Sequence, residues 1–553
     1  MPIITLDYED LERLCGADKE EILQRIPMIG ADIERIEPDY VDVEFFPNRP
    51  DMFSVEGVSR AMRGFLGIET GFRKYQVKKS NVKIRVEPSV KNVRPCVVCA
   101  IVRDVNLDSG TIESLMGLQE DLHWGIGRNR KKISIGVHDL SRVKPPFRYL
   151  SEDPGFSFVP LDYTESMTMD EILKEHPKGM KFAYILESKD KYPLILDSND
   201  DVLSFPPIIN GELTRVTEDT RDLFIDVTGL DESVNIALNI ISTSLAERGG
   251  SIESVLILDD ANEKKVTPDL NPSIRQISVK EAQKLIGLKI SPEECKECLM
   301  KMRFGAKLLK GKSKIEVEVP AYRADILHSW DIIEDIAIGY GYDRIEPVFP
   351  KTVTIGTTHP VEGQKALIRE IMVGLGYFEV MTFTLTNEEK NLKKMRLSAS
   401  ASTSEPADSD DNAITRLKHP ISEDYTILRT SILPNLLEIL SLNKHREMPH
   451  RIFEVSEVII HSKNKERVAG VSIHSNSDFS EVKSVVESLL REMEHSFEIA
   501  ESKNPTFLEG RVVDVIANGE VIGVFGEIHP GAITNFELSH PICGFELNVE
   551  GYK

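Results

Sequence analysis

At 553 residues, with 41% apolar and 28% charged side chains, the chain exceeds the ~250 residues at which single cores stop growing. It reads as a multidomain globular protein, neither fibrous nor disordered. A formal net charge of −23 argues against non-specific coating of nucleic acid, which needs Lys and Arg against phosphate, but it leaves room for a local basic groove. The amino terminus, MPIITLDYEDLERLCG, does not resemble a secretory signal, and no run of ~18 apolar residues follows, so a cytoplasmic location is expected.

Residues 1–80 combine ITLDYEDLERLCG, a strand-like DVEFF, a turn at PNRPD and VEGVSRAMRGFLGI, whose apolar residues recur at helical spacing up to Gly67. This predicts a small α+β module. Residues 81–265 carry the strand-like runs VKIRVEP, CVVCAIVRDV, ISIGV, KFAYILE, YPLILD, LFIDVTG and SVLILD around the helical SVNIALNIISTSLAERGG, which predicts a mixed α/β module with a large sheet. Within it, GRNRKK, with Arg128 to Lys132, is a basic island directly before ISIGV: a solvated loop or a phosphate contact.

Residues 266–350 open with PDLNPS and continue with two helical patterns behind the N-cap residues Ser278 and Ser291. A strand, KIEVEVP, then leads into RADILHSWDIIED, which crowds Asp325, Asp331, Glu334 and Asp335 together. Asp331, Glu334 and Asp335 fall at i, i+3 and i+4, on one helical face. Hard divalent cations want such oxygens; equally, acids near a helix start favour its dipole while Ile332, Ile333, Ile336 and Ala337 pack inward. Residues 351–553 alternate helices and strands, with a hairpin turn at Asn518-Gly519 and an expected mobile loop at SASASTSEPADSDD.

Six cysteines include two CxxC pairs, Cys96/Cys99 and Cys295/Cys298. The first falls on a strand, where positions three apart face opposite ways, and the second on a helix with no second ligand pair nearby, so no zinc site is expected. Trp124 and Trp330 are expected as packing anchors, and His138 in GVHDL as a satisfied structural group.

Four stretches in series, FFPNRPDMFSVEGVSRAMRGFLGI, ISIGVHDL with SFPPIINGELTRV, VPAYRADILHSWDIIEDIAIGYGYDRI and HPISEDYTILRTSILPNLLE, resemble the β subunit of phenylalanyl-tRNA synthetase in its archaeal and eukaryotic form. The resemblance implies a B3/B4-like editing and tRNA-binding module over 81–265 and a helix-rich, winged-helix-like B5 module over 266–350. Over 351–553 it implies a class II synthetase-like antiparallel-sheet domain that is not itself catalytic.

The same resemblance implies an α subunit partner carrying the site for ATP and phenylalanine, an α2β2 tetramer, tRNA(Phe) as ligand, and a magnesium ion shared with α at Asp325, Asp331, Glu334 and Asp335. It places an editing pocket, for hydrolysis of tyrosine mischarged on tRNA(Phe), at Asn210, Gly211, Glu212, Asp226 and Thr228. A purely structural, tRNA-binding subunit is the alternative. His138 would be structural or tRNA-facing. The final strand, GFELNVEGYK, lacks the arginine of a working ATP site, although PHRIFEVSEVI keeps Arg451. The apolar LRTSILPNLLEILSL is expected at an obligate interface.

Overall fold

The computed structural model describes residues 2–259, 264–350, 354–397 and 413–549, so the whole of SASASTSEPADSDD lies outside the described residues. The chain divides into two compact units, Met1–Phe349 and Pro350–Lys553.

The first unit begins with a three-stranded antiparallel sheet in which Tyr40–Phe45 runs between Ile3–Asp7 and Ala31–Ile36. Alternation in YVDVEF buries Val41, Val43 and Phe45. The helix Val55–Phe65 starts at Ser54, whose hydroxyl accepts the Gly57 N–H. A Cβ at Gly57 would lie 1.8 Å from the Asp51 carbonyl oxygen, so only glycine lets the PNRPD turn close onto this helix.

The second layer is a ten-stranded mixed sheet. Its path runs from Ile209–Asn210 through Val202–Phe205, Tyr192–Leu196, Phe147–Glu152, Lys78–Val86, Ser251–Leu258, Cys96–Arg103 and Leu223–Gly229 to Ile133–Asp139, and the tenth strand, Lys264–Thr267, pairs with Ser251–Leu258 off this path. Lys78–Val86 pairs parallel with both neighbours, and the remaining pairs are antiparallel. The helix Val234–Glu247 buries Asn239, Ser242, Thr243 and Ser244 along with its apolar residues.

KFAYILE, expected as a strand, is instead the end of the helix Pro177–Phe182 and a 3₁₀ turn over Ala183–Ile185. Pro177 at the first helical position starts it, and the run is too short for its apolar pattern to separate helix from strand. The helices at 279–286 and 292–301 are capped by Ser278 and Ser291 as the sequence indicates, and flank a three-stranded sheet of Ser273–Ser278, Lys314–Val319 and Gly305–Leu308.

The second unit is built on a seven-stranded sheet in the order Phe378–Glu379, His450–Ile460, Lys463–Ile473, Ile542–Asn548, Glu520–Ile528, Phe507–Ala517, Glu498–Glu501. All its pairs are antiparallel except the first. Asn518 and Gly519 both have positive φ, 55° and 83°, as the hairpin turn requires.

Helices Pro360–Gly374 and Phe479–Glu492 form one core with Phe453, Phe525 and Phe545, while Leu433–Leu442 forms another with Ile452, Val471 and Ile473. The apolar run LRTSILPNLLE therefore fills this unit's own core: Leu433, Leu436, Leu437 and Leu440 are buried, contrary to the interface role expected of it. Trp124 and Trp330 also depart from expectation, being 47% and 55% exposed. Each sits at a helix terminus, where its ring extends past the packed turn, and Trp330 Nε1 donates to Glu281.

Candidate functional site

The two terminal strands of the ten-stranded sheet come back toward each other. Asn210 Nδ2 donates to the Val137 carbonyl at 3.4 Å, and Arg130 Nη1 donates to the Ile208 carbonyl at 2.9 Å. Between these edges lies a pocket of about 230 Å³, walled by apolar Ile112, Met116, Val137 and Ile209 and carrying Ser134 and Ser204. Neither serine hydroxyl has a hydrogen-bond partner among the described residues.

Of the five residues expected here, Asn210 and Gly211 line the pocket. Glu212 turns outward, where hydrogen bonds from Arg215 lower its pKa, and it also accepts the Asp162 N–H. Asp226 and Thr228 lie behind the wall, 1% and 0% exposed, side by side on the strand Leu223–Gly229. Thr228 Oγ1 accepts a hydrogen bond from Arg94 Nε at 2.9 Å. Burial pushes that guanidinium down to about 10.

Asp226 reaches the pocket through His138, which the sequence names but does not join to it. Its Oδ2 lies 2.8 Å from His138 Nε2, and His138 Nδ1 lies 2.8 Å from the Thr214 hydroxyl, which belongs to the pocket wall. A carboxylate can only accept, so Nε2 carries a proton, while Nδ1 shares a hydrogen bond with the Thr214 hydroxyl, which also reaches the Gly211 carbonyl at 3.2 Å. The imidazole is fully buried, which fits the structural expectation and leaves no nucleic-acid-facing surface. One clue was legible: a Cβ on Gly136 would sit 2.1 Å from Asp226 Oδ2 and 2.6 Å from His138 Nε2, so glycine in ISIGVHD makes room for the pair.

Arg130, from the basic island, is also buried and paired with Glu120. His123 Nε2 accepts the Ile135 N–H at 2.8 Å, fixing the free edge of the strand Ile133–Asp139 to the helix Ser109–Trp124.

The acidic helix, Ser329–Tyr340, keeps its apolar side inward as expected, with Ile332, Ile333, Ile336 and Ala337 buried. Its four acids do not converge. Arg323 Nη2 donates to Asp325 at 2.6 Å and to Asp335 at 2.5 Å, and Asp335 is 2% exposed, raised in pKa by burial that Arg323 only partly offsets. The i+4 position thus turns into the protein to meet a buried cation. Asp331 Oδ2 accepts the N–H groups of Leu327 and His328, as an N-terminal cap does, and Glu334 is exposed. Among the described residues no three His, Cys, Asp or Glu side chains group to hold a metal. A four-carboxylate magnesium site does not fit; the pair Asp331 and Glu334 remains on the solvent side.

Residues 125–257, which hold most of the pocket, match the B3/4 domain; 275–342 match the tRNA synthetase B5 domain, and 345–549 match the phenylalanyl tRNA synthetase beta chain CLM domain. The chain is 56% identical over 549 residues to the phenylalanine–tRNA ligase beta subunit of Methanosarcina acetivorans, covering 99% of this chain and 98% of that one. It is 51% identical over 552 residues to that of Archaeoglobus fulgidus, covering 100% and 99%. The chain belongs to the phenylalanine–tRNA ligase beta subunit family.

An N-terminal fragment of the phenylalanyl-tRNA synthetase beta-subunit from Pyrococcus horikoshii superposes with a TM-score of 0.60 at 39% identity, over 61% of this chain and 99% of the fragment. No helix among the described residues is long and apolar enough to cross a membrane. A beta subunit implies an alpha partner. In the CLM-matching unit, Arg451 Nε is bonded to Glu481 at 3.1 Å, and Arg429 and Arg467 pair with the buried Glu454 and Glu546. The strand Ile542–Asn548 contains no arginine.

Proposed function

We propose that this beta subunit hydrolyses tyrosine mischarged on tRNA(Phe), within a cytoplasmic α2β2 ligase whose alpha subunit holds the ATP and phenylalanine site. The observation that carries the reading is the buried Asp226–His138–Thr214 line ending at the wall of an apolar pocket of amino-acid size. A pocket built for apolar rings separates phenylalanine from tyrosine by only about a hundredfold, so a ligase needs a second site that favours the hydroxylated ring. Ser134 and Ser204 offer it hydroxyls for that purpose, and the apolar wall takes the ring.

Asp226 holds the His138 ring through Nε2, and Nδ1 in turn fixes the Thr214 hydroxyl, so that a water at the wall meets a fixed hydroxyl dipole. His138, Asp226 and Thr214 act on that water as positioning residues. The acid reads the imidazole, and the serines read the phenol.

The second unit, on this reading, is a class II synthetase-like domain without catalysis: the buried Arg429 and the part-buried Arg467 are committed to carboxylates, and Arg451 is committed to Glu481. The exposed Phe378, Met381 and Phe383, between 74% and 92% accessible, supply its apolar contact with alpha in place of Leu433–Leu442. The 266–350 segment is the winged-helix-like module. Asp331 and Glu334 hold a magnesium ion shared with alpha, the rest of its shell coming from water and that partner, since magnesium takes one or two carboxylates.

The test is deacylation of tyrosyl-tRNA(Phe) by the reconstituted complex, wild type against Asp226→Ala, with aminoacylation as the folding control. Loss of deacylation in the variant alone supports the reading. Equal deacylation by both moves the hydrolysis elsewhere, and none in either leaves a structural, tRNA-binding subunit.

A further inference from the structure

The pocket has room for an aromatic amino acid but not for the nucleotide that carries it, so the nucleic-acid end must lie outside, at the mouth. We propose that this mouth is a single-strand binding surface for the 3′ end of the acylated nucleic acid, built from Arg128, Lys131, Lys178 and Lys181 with Tyr184 as a stacking platform. The proposal rests on the hydrolytic reading above and says where that site's substrate is gripped.

All four cations are exposed, and among the described residues none of them is in an ion pair. Other cations around this sheet are paired, Arg103 with Asp222 and Glu253, Arg148 with Asp200, Arg215 with Asp162 and Glu212, and Lys132 with Asp231; of those not paired among the described residues, Lys78, Lys83 and Arg85 lie on the strand Lys78–Val86, away from the pocket lining. In a chain of net charge −23, four unpaired cations beside one pocket form a local field that attracts phosphate.

The scaffold that presents them is held in place. Arg128, Asn129 and Arg130 are three successive non-glycine residues in the left-handed region, with φ of 48°, 53° and 65°. Such a run is sterically costly and persists only where surroundings impose it. Here the buried Arg130 pins the loop through Ile208, and its guanidinium lies 4.6 Å from the Phe182 ring, with Lys181 Nζ 5.2 Å from that ring. Lys178 lines the pocket itself. Tyr184, 49% exposed, donates its hydroxyl to the Asn129 carbonyl at 3.4 Å, tying the aromatic ring to the basic loop. Cations for sugar-phosphates beside an anchored ring are what an unpaired strand end requires.

Two measurements on the full complex test this. In the first, periodate-oxidised tRNA(Phe), whose 3′ ribose is a dialdehyde, is reduced onto nearby lysines with borohydride and the adducts are mapped; adducts at Lys131, Lys178 or Lys181 are expected. In the second, the KM for deacylation of tyrosyl-tRNA(Phe) by Arg128→Ala/Lys131→Ala should exceed that of the wild type most at 50 mM salt, and that excess should shrink about sevenfold by 200 mM, with kcat changed less than twofold, because each lost phosphate contact removes about 0.7 from the salt slope.

Adducts on this chain only outside the mouth, with an unchanged KM, would overturn the surface while leaving hydrolysis intact. Adducts at the mouth in a complex that does not hydrolyse would keep the surface and defeat the hydrolytic reading.

Discussion

Two sheets in this chain each bury a row of ionisable groups, and they use them differently. In the second unit the carboxylates of Glu454 and Glu546 meet guanidiniums, Arg429 at 2.8 Å and Arg467 at 2.9 Å, and Glu546 also accepts the N–H groups of Ile432 and Leu433 at the start of the helix Leu433–Leu442. In the first unit Asp226 meets an imidazole, and the row ends at a pocket. A guanidinium only donates hydrogen bonds, whereas an imidazole nitrogen can donate or accept. The first arrangement is fixed scaffold, and the second can respond to a ligand.

The largest effect is expected where that scaffold is broken. Arg429→Ala leaves Glu454 charged, 2% exposed and without its cation, which should destabilise the second unit by about 3–5 kcal/mol. Arg429→Met combined with Glu454→Leu should recover most of that, because removing both charges removes the desolvation problem. Urea unfolding of the complex would measure both; a loss under about 1 kcal/mol for the single change would show that the pair does not hold the sheet.

Next comes an acid sensitivity specific to the first unit. Burial holds His123 down to about 4, so the folded protein keeps it neutral while the unfolded chain protonates it near 6.5. Its contribution is therefore complete above pH 6.5 and is lost as pH falls toward 4, up to roughly 3 kcal/mol. Asp121 acts in the opposite sense, since burial pushes its carboxyl up to about 6. The stability gap between wild type and His123→Gln isolates the histidine: it should shrink between pH 6.5 and 4, and a gap independent of pH would remove His123 from the account.

The titratable row itself is expected to act on rate more than on stability. Thr214→Val keeps the shape of the wall and deletes the hydroxyl that His138 orients, and deacylation should fall about a hundredfold, the low end of what positioned proton-transfer groups supply. If Thr214→Val hydrolyses normally while Asp226→Ala does not, the row acts only by holding the seam together.

Much of this was legible in the sequence. The strands, the Ser278 and Ser291 caps and the Asn518-Gly519 hairpin follow from alternation and turn chemistry, which are local. Asn210 and Gly211 were found because a turn rich in backbone groups announces itself. His138 was read only as structural or tRNA-facing and its partner Thr214 was missed, because 76 residues separate them and only the curling of the sheet brings its two edge strands together. Glu212 was misplaced for a related reason: nothing local told it that Arg215 would draw it outward. The same holds for Asp335, whose partner Arg323 lies across a turn.

That last pair separates the acids of Ser329–Tyr340 into two kinds, and the smallest effects discriminate them. Asp331→Ala removes the acceptor for the Leu327 and His328 N–H groups and should cost about 1 kcal/mol, as the loss of a helix cap does. Combined with Glu334→Ala it should also abolish manganese binding at this helix in the α/β complex, followed by electron paramagnetic resonance. Asp325→Asn should leave the metal in place, because its carboxylate already answers Arg323. Metal retained by the double variant would mean that Asp331 and Glu334 do not hold it, and that Asp331 serves this helix as a cap alone.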